Sequence, residues 1–209
     1  MPPEIVLCIA GSARRNGNSD QLLAEAMRGA REAGHQVDHI VVQPMNFSGC
    51  MECGGCSREG RCVVGDQMQE VFAELDRADH VIIASPIFFM GVPSKLKALV
   101  DRCQVYWARK FVRHEPSGRA RPGGNAAFIA VGASSYKHLF DGSRQVMKSV
   151  LNVLEFNYKD ELFLPGLDGP TDVMNHPQAL ERAYRIGRDI ATHRDASGQF
   201  QTELSPRFR

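Results

Sequence analysis

Four cysteines lie close together in one short stretch of the chain and have the clearest potential for chemistry. Cys50, Cys53, Cys56 and Cys62 are separated by two, two and five residues, and four glycines lie within or beside the run. Two-residue gaps let successive thiolates face one small inorganic core, as in ferredoxin-type sequences, and glycine gives the backbone the freedom to wrap around it. The spacing favours a four-iron four-sulfur (4Fe-4S) cluster on these thiolates.

Two other interpretations of this cysteine-rich loop, residues 49–65, stay open. Zinc also accepts four thiolates, but structural zinc sites usually pair two Cys-x-x-Cys units across a longer gap. Free thiols or a redox-active disulfide would use the same cysteines without a metal. The remaining cysteines, Cys8 and Cys103, lie in apolar patterns and are expected in the core.

A second stretch, residues 11–19, has the composition of an anion-binding loop. Small residues let backbone N–H groups approach an anion, and the helix that follows adds partial positive charge. Ser12, Asn16, Asn18 and Ser19 add side-chain donors. Asn18 stands where a nucleotide-hydrolase loop has its lysine, and the dinucleotide fingerprint is absent. We expect a phosphate here, with an ordinary capped turn as the alternative.

Two further loops have compositions suited to a ligand. Residues 85–93 are too apolar for a connection that only faces water, and their glycine and prolines interrupt helix and strand. Such a loop could hold a face or edge of a flat aromatic ring, or it could plug the core beneath the next helix. Residues 132–138 add small residues, hydroxyl groups and Tyr136.

Hydrophobic periodicity places these loops between strands and helices. Five apolar runs of strand length, within residues 5–10, 37–42, 81–84, 126–133 and 158–164, are each followed by helical spacing. Parallel strands need helical crossovers. The sequence therefore predicts an α/β fold, one doubly wound five-stranded parallel sheet with helices on both faces. In such sheets ligands bind outside the carboxyl ends of the strands.

Helix boundaries and surfaces can also be predicted from local patterns. Asn18 followed by Gln21 has the spacing of a capping pair, and Asp66 is placed to cap the helix after the cysteine-rich loop. Pro86, with Ser85 before it, is expected to break the third strand. Charged residues of the helix that follows are expected on its surface, in ion pairs; they are Lys95, Lys97, Asp101 and Arg102.

These motifs together resemble the NADPH-dependent FMN reductase branch of the flavodoxin-like proteins. The resemblance spans about residues 4–193 and implies the strand order 2-1-3-4-5. It is carried by Gly11-Ser12-Ala13-Arg14 with Asn16, Gly17 and Asn18, by Ala84-Ser85-Pro86-Ile87-Phe88, and by Pro93-Ser94-Lys95-Leu96-Lys97 with Asp101-Arg102.

The resemblance also implies a set of FMN contacts. The phosphate would be held by the first loop, the isoalloxazine by the apolar loop and the pyrimidine edge by the loop after the fourth strand. The residues implied are Ser12, Arg14, Asn16, Asn18 and Ser19 for the phosphate, Pro86, Ile87, Phe88, Phe89, Met90 and Gly91 for the isoalloxazine, and Gly132, Ala133, Ser134 and Tyr136 for the pyrimidine edge.

The cysteine-rich loop resembles the compact cysteine motif of iron-sulfur flavoproteins, a subset of the same branch. That resemblance implies that Cys50, Cys53, Cys56 and Cys62 ligate a 4Fe-4S cluster, although the proline that follows the last cysteine in ferredoxins is missing. The loop follows the second strand, which neighbours the first. We therefore expect cluster and flavin to be neighbours, within one chain or across a subunit boundary.

Composition limits the classes of partner. The 209 residues carry 25 Lys and Arg against 24 Asp and Glu, so no global basic field attracts nucleic acid or an anionic membrane. Apolar runs fall far short of the roughly 18 residues of a membrane-spanning helix, and the N-terminal charges are opposite to a secretory signal. We expect a cytoplasmic protein with one domain over residues 1–193 and a tail over 194–209.

Residues 108–124 and two aromatic residues fit this scheme less directly. Five basic residues lie between Arg109 and Arg121, and they could attract NADPH phosphates or an acidic redox protein, or simply form a solvated loop. Tyr106 and Trp107 are expected in core or interface packing rather than against a flavin.

Two functions agree with these observations. The first is an FMN-containing iron-sulfur flavoprotein that transfers electrons between a reduced donor and an acceptor, such as a ferredoxin-like protein, a quinone or free flavin. The second is an NAD(P)H-dependent FMN or quinone reductase without a cluster, whose cysteines are incidental or redox-active thiols. Either is an oxidoreductase that needs no catalytic acid or base, because hydride chemistry takes place on FMN. The family resemblance implies a homo-oligomer, a dimer or tetramer.

Overall fold

The computed structural model describes residues 3–192 and contains the predicted parallel sheet. Its strand order is β2-β1-β3-β4-β5, and each neighbouring pair is parallel, which confirms the predicted topology. The tail expected over 194–209 lies outside the described residues. The strands are β1 (Ile5–Ala10), β2 (Gln36–Val41), β3 (His80–Pro86), β4 (Asn125–Gly132) and β5 (Asn157–Pro165).

Helices connect successive strands and cover both faces of the sheet. Four short elements were not predicted. They are helices over Gly55–Glu59 and Gln104–Trp107, a π-helical turn over Ala108–Val112 and a 3-10 turn over Asp172–Asn175. Among residues 3–192, the helices are all too short or too polar to cross a membrane. The helices are α1 (Asn18–Glu32), α2 (Gly55–Glu59), α3 (Met68–Arg77), α4 (Ser94–Arg102), α5 (Gln104–Trp107), α6 (Asp141–Val153) and α7 (Pro177–Asp189).

The core lies in two layers, one on each side of the sheet. Leu7 and Ile9 of β1 pack with α3, α4 and α6, whereas Val6 and Cys8 pack with α1 and α7. Both faces of β3 and β4 are covered, which explains their continuous apolar runs. Cys8 and Cys103 are core residues as predicted, and burial raises the pKa of both thiols to about 12.

The structure tests the predicted helix caps and the predicted end of the third strand. The N-cap of α3 is Gln67 rather than the predicted Asp66, which lies one residue earlier and accepts with Oδ1 from the N–H of Met68 at 3.1 Å. The capping pair is wrong: the cap of α1 is Gly17, without a side-chain bond, and Gln21 donates instead to the carbonyl of Asn16. The third strand ends at Pro86, which confirms the predicted break at Ser85-Pro86, although both residues still pair with β4. The last residue of a strand tolerates proline.

Two glycines let α1 and α7 touch backbone to backbone. A Cβ atom on Gly187 would lie 1.8 Å from the carbonyl oxygen of Ala26, and one on Gly29 would lie 2.1 Å from that of Tyr184. Neither backbone can move without shifting its helix. The close approach holds α1, whose first turn follows the predicted phosphate loop, against the C-terminal helix.

Gly187→Ala should therefore destabilise the fold although alanine favours helix by about 1 kcal/mol. The added methyl forces α1 and α7 apart, and we expect the free energy of unfolding to fall by about 2 kcal/mol, measured by urea denaturation. Gly65→Ala is the control, because a Cβ there meets nothing within 4 Å. An unchanged denaturation midpoint for Gly187→Ala would contradict the helix contact.

Candidate functional site

Three predicted loops meet at the carboxyl ends of β1, β3 and β4. The N–H of Gly11 donates to the carbonyl of Ala84 at 2.8 Å, and the N–H of Ile87 donates to that of Val131 at 2.8 Å. These bonds join the starts of two loops to the neighbouring strands. Residues 11–17, 87–93 and 133–140 therefore form one edge, called the rim below.

The first loop is shaped by its own serine. The Ser12 hydroxyl is buried, accepts from the N–H of Arg14 at 3.0 Å and donates to the carbonyl of Arg14 at 2.9 Å. Asn16 has φ 55, a left-handed conformation that asparagine tolerates better than most residues. The side chains of Arg14 and Asn16 are exposed on the rim.

The helix side of this loop is engaged with a distant segment. Asn18 Nδ2 donates to the carbonyl of Gly169 at 2.8 Å, and its Oδ1 accepts from the N–H of Val173 at 3.0 Å. Ser19 is buried beside it. The Asn18 amide thus connects α1 to the chain after β5, a contact across 151 residues that no local pattern indicates.

The apolar loop forms a tight turn on the rim. Phe88 and Gly91 exchange two backbone hydrogen bonds of 2.9 Å, while Phe89 (φ 49) and Met90 (φ 63) adopt left-handed conformations that cost non-glycine residues about 1–2 kcal/mol each. The side chains of Phe88, Phe89 and Met90 are exposed. The core-plug alternative therefore fails for this turn, and only Val92 and Pro93 behind it are buried.

The loop after β4 offers hydroxyl groups beside this turn. Ser134 Oγ accepts from the N–H of Tyr136 at 3.1 Å, and the Tyr136 ring is half exposed. Gly132 is buried, and a Cβ atom there would lie 2.7 Å from Leu139 Cδ2, so a larger residue would require the Leu139 side chain to shift. Ala133 and Ser134 are exposed next to it.

The cysteine-rich loop has four free thiols at the surface. Cys50 and Cys53 are exposed, whereas Cys56 and Cys62 are half-buried. Burial raises the pKa of the Cys56 thiol, with smaller contributions from the charges of Cys50 and Cys62. Between residues 3 and 192, no three His, Cys, Asp or Glu side chains converge as a metal site. The four cysteines match the ligands of a thiolate-bound cluster in kind and number, but their side chains do not converge on one point.

Three arginines hold the backbone of this loop. Arg102 donates to the carbonyl of Ser48 at 3.0 Å, and Arg109 to that of Gly60 at 2.6 Å. Arg113 completes the frame by donating to the carbonyls of Ser57 at 3.3 Å and Arg58 at 2.5 Å. Charged donors thus satisfy carbonyls at the start of the loop and at the end of α2.

These arginine contacts contradict two predictions made from the sequence. Arg102 is buried, so its predicted place on the helix surface is wrong, although the Lys97–Asp101 ion pair forms at 2.6 Å. The basic stretch is not a plain solvated loop. Arg109 and Arg113 brace the cysteine-rich loop, and Arg119 lies buried 3.5 Å from the centre of the Phe156 ring. Burial lowers the pKa of Arg119 to about 10.

One helix joins the apolar turn to the cysteine-rich loop. α4 begins three residues after Gly91, and Lys95 in its first turn donates to the carbonyl of Phe47 at 2.9 Å. Arg102 at its other end contacts Cys62. Nine residues at about 1.5 Å each give a helix about 13 Å long. The two parts of the site are therefore held on one rigid element.

Comparison with known proteins identifies the family. The model of the NADPH-dependent FMN reductase family matches residues 5–159. The chain belongs to the NADPH-dependent FMN reductase family. Membership confirms the resemblance inferred from the motifs, and it makes the protein a flavin-dependent oxidoreductase with FMN as its flavin.

Several proteins share its sequence or fold. An iron-sulfur flavoprotein of Methanocaldococcus jannaschii is 27% identical over 199 residues, which cover 89% of this FMN reductase family member and 95% of the relative. An iron-sulfur flavoprotein of Archaeoglobus fulgidus is 30% identical over 184 residues, covering 88% and 77%. The solved NAD(P)H:quinone oxidoreductase from Methanothermobacter marburgensis superposes with a TM-score of 0.68 at 21% identity, covering 94% and 100%, and shares the fold.

Replacing Asn18 tests the long-range contact of this family member. Asn18→Ala removes both hydrogen bonds to the 169–173 segment and leaves the buried N–H of Val173 unpaired, so we expect a loss of about 2 kcal/mol of unfolding free energy. Asn18→Asp keeps the acceptor for Val173 and should lose less. Urea denaturation measures both variants, and equal losses would contradict separate roles for the two bonds.

Proposed function

We propose that this FMN reductase family member transfers electrons between a reduced donor and an acceptor, using FMN on the rim and a 4Fe-4S cluster on Cys50, Cys53, Cys56 and Cys62. The observation that carries the proposal is α4, which starts behind the apolar turn and ends in contact with Cys62. When bound, the flavin supplies two-electron chemistry and the cluster one-electron chemistry. The names of the two iron-sulfur flavoprotein relatives support the cluster.

The first loop would bind the FMN phosphate mainly through its backbone. Ser12 fixes the loop shape, the N-terminus of α1 adds partial positive charge, and Arg14 adds a full charge. Asn16 and Ser19 would add polar contacts. Asn18 holds the loop against residues 169–173, so its contribution to phosphate binding would come from its remaining amide hydrogen.

The apolar turn and the loop after β4 would position the isoalloxazine. The backbone of Pro86 to Gly91 and the exposed side chains of the turn offer an apolar edge that excludes water from one side of a ring. Gly132, Ala133, Ser134 and Tyr136 offer backbone and hydroxyl groups for its polar edge. NAD(P)H is the co-substrate that the family description suggests.

The cysteine loop is built to present sulfur ligands. Gly54 (φ 67) and Gly60 (φ 69) reverse the chain on both sides of Cys56, and the arginine frame fixes the backbone between Ser48 and Gly60. A preordered loop loses less conformational entropy when ligands are drawn together. Its surface position suits single-electron exchange with a ferredoxin-like protein, a quinone or free flavin.

A second candidate is an NAD(P)H-dependent FMN or quinone reductase without a cluster. The specific observation in its favour is that no three of the described cysteines converge. In this case hydride transfer needs only stacking of the nicotinamide on the flavin, and the chain supplies orientation. The cysteines would then be incidental or redox-active thiols.

The assembly we propose is a homo-oligomer. Phe88, Phe89 and Met90 are exposed on the rim, and Trp107 and Phe111 are exposed near a groove of about 440 Å³ between α4 and α6. Such groups of exposed apolar side chains are typical of surfaces that are covered in an assembly.

Arg14→Ala tests the phosphate loop. A charged hydrogen bond to phosphate contributes about 1.5–3 kcal/mol, so we expect the FMN dissociation constant to rise at least tenfold, measured by flavin fluorescence titration. Arg15→Ala is the matched control with an exposed neighbouring arginine. Equal weakening by both variants would indicate only a general charge effect.

Cys53→Ala tests the cluster. In protein purified without oxygen, we expect iron and sulfide near four per chain in the wild type, and loss of the cluster absorbance with FMN retained in the variant. Cys103→Ala, at a core cysteine outside the loop, should keep its iron. Loss of flavin together with iron would contradict separate sites. An iron-free wild type that oxidises NAD(P)H rapidly would favour the second candidate.

A further inference from the structure

One arginine is buried against a sulfur of the cysteine-rich loop. Arg102 is 2% exposed, and its Nη2 donates to Cys62 Sγ at 3.3 Å. The same guanidinium donates two hydrogen bonds to Asp66, from Nη1 to Oδ2 at 2.7 Å and from Nη2 to Oδ1 at 3.0 Å. A fork of rigid donors therefore faces a carboxylate and a thiol at once.

This arrangement is more than a tether for the loop. Lys95 at the other end of α4 holds the carbonyl of Phe47 with a single donor and is not fully buried. Besides Asp66 and Cys62, the guanidinium also donates from Nη1 to the carbonyl of Ser48 at 3.0 Å. Arg102 Nε is buried without a hydrogen-bond partner among the described residues. The buried cation is thus aimed at a sulfur as well as at its carboxylate and carbonyl partners.

We propose that Arg102 is a positioning residue that raises the reduction potential of the group bound through Cys62. The inference rests on the cluster proposed above. One electron added to a thiolate-bound cluster increases the negative charge on its sulfur ligands, and a cationic hydrogen-bond donor stabilises that charge. The electron comes from the reduced flavin, no bond is broken, and Arg102 keeps its protons because a guanidinium stays charged.

Asp66 has the opposite influence through the same cation. Its carboxylate forms an ion pair with the Arg102 guanidinium and offsets part of the positive charge beside Cys62. Removing the carboxylate charge while keeping its shape leaves Arg102 more positive toward the sulfur. The two residues should therefore shift the potential in opposite directions, which a general loosening of the loop would not do.

The test measures midpoint potentials of the cluster and of FMN in the same anaerobic holoprotein, after its iron and sulfide content. Arg102→Lys keeps the charge but loses the fork, and we expect a cluster potential more negative than in the wild type. Asp66→Asn keeps an acceptor for the N–H of Met68 and should give a more positive cluster potential. The double variant Arg102→Gln with Asp66→Asn leaves no uncompensated charge, and it should move the cluster equilibrium at least tenfold, about 59 mV for one electron, to the negative side.

Lys97→Gln serves as the control, since this lysine lies on the same helix, is half exposed and contacts Asp101. It should leave the cluster potential unchanged, and the FMN potential should stay constant in all variants. An iron-replete wild type whose potential is unaffected by both Arg102 variants would overturn the inference alone. Negative shifts in both Arg102→Lys and Asp66→Asn would also overturn it. A wild type without iron or sulfide would reject the proposed cluster and the inference with it.

Discussion

The parallel pairing of β1 with β3 and of β3 with β4 is the constraint on which the site depends. Ala10 lies beside Ala84, and Pro86 beside Val131, so three strands end at nearly the same level. Each strand is covered on both faces, and a one-residue shift in register would move every side chain into the opposite core layer, where its neighbours differ. The rim loops therefore lie close together because the register of the buried strands places their first residues at the same level.

The cysteine-rich loop needs a different kind of support because it has little apolar surface of its own. Buried backbone carbonyls must find donors, and a five-residue helix leaves most of its C-terminal carbonyls without partners. Arg109 and Arg113 supply these donors from the chain after α5. The basic stretch thus has a structural use that also explains its length, since the chain must pass beside the loop before returning to β4.

Sequence patterns predicted most elements because strands buried on both faces leave continuous apolar runs, and helices buried on one face leave a periodic apolar pattern. The five strands follow from local composition, and their order follows from a known family pattern. Contacts between distant segments leave no such signal. Asn18 is a residue type that often caps helices, yet its side chain bonds to Val173. Arg102 is a residue type that usually forms ion pairs on a helix surface, yet it is buried. Neither outcome can be predicted until the tertiary neighbours are known.

The two parts of the site also differ in how their geometry is stabilised. The rim carries strain, because Phe89 and Met90 adopt left-handed backbone conformations with exposed side chains. Such conformations persist only where neighbouring structure enforces them, and here the paired bonds of Phe88 and Gly91 and the packing of the Met90 carbonyl near Gly142 do so. The cysteine-rich loop instead satisfies its chain reversals with glycine and its carbonyls with arginine. The turn is therefore held against its strain by backbone hydrogen bonds, whereas the loop is held by charged side chains of α4 and of the chain after α5.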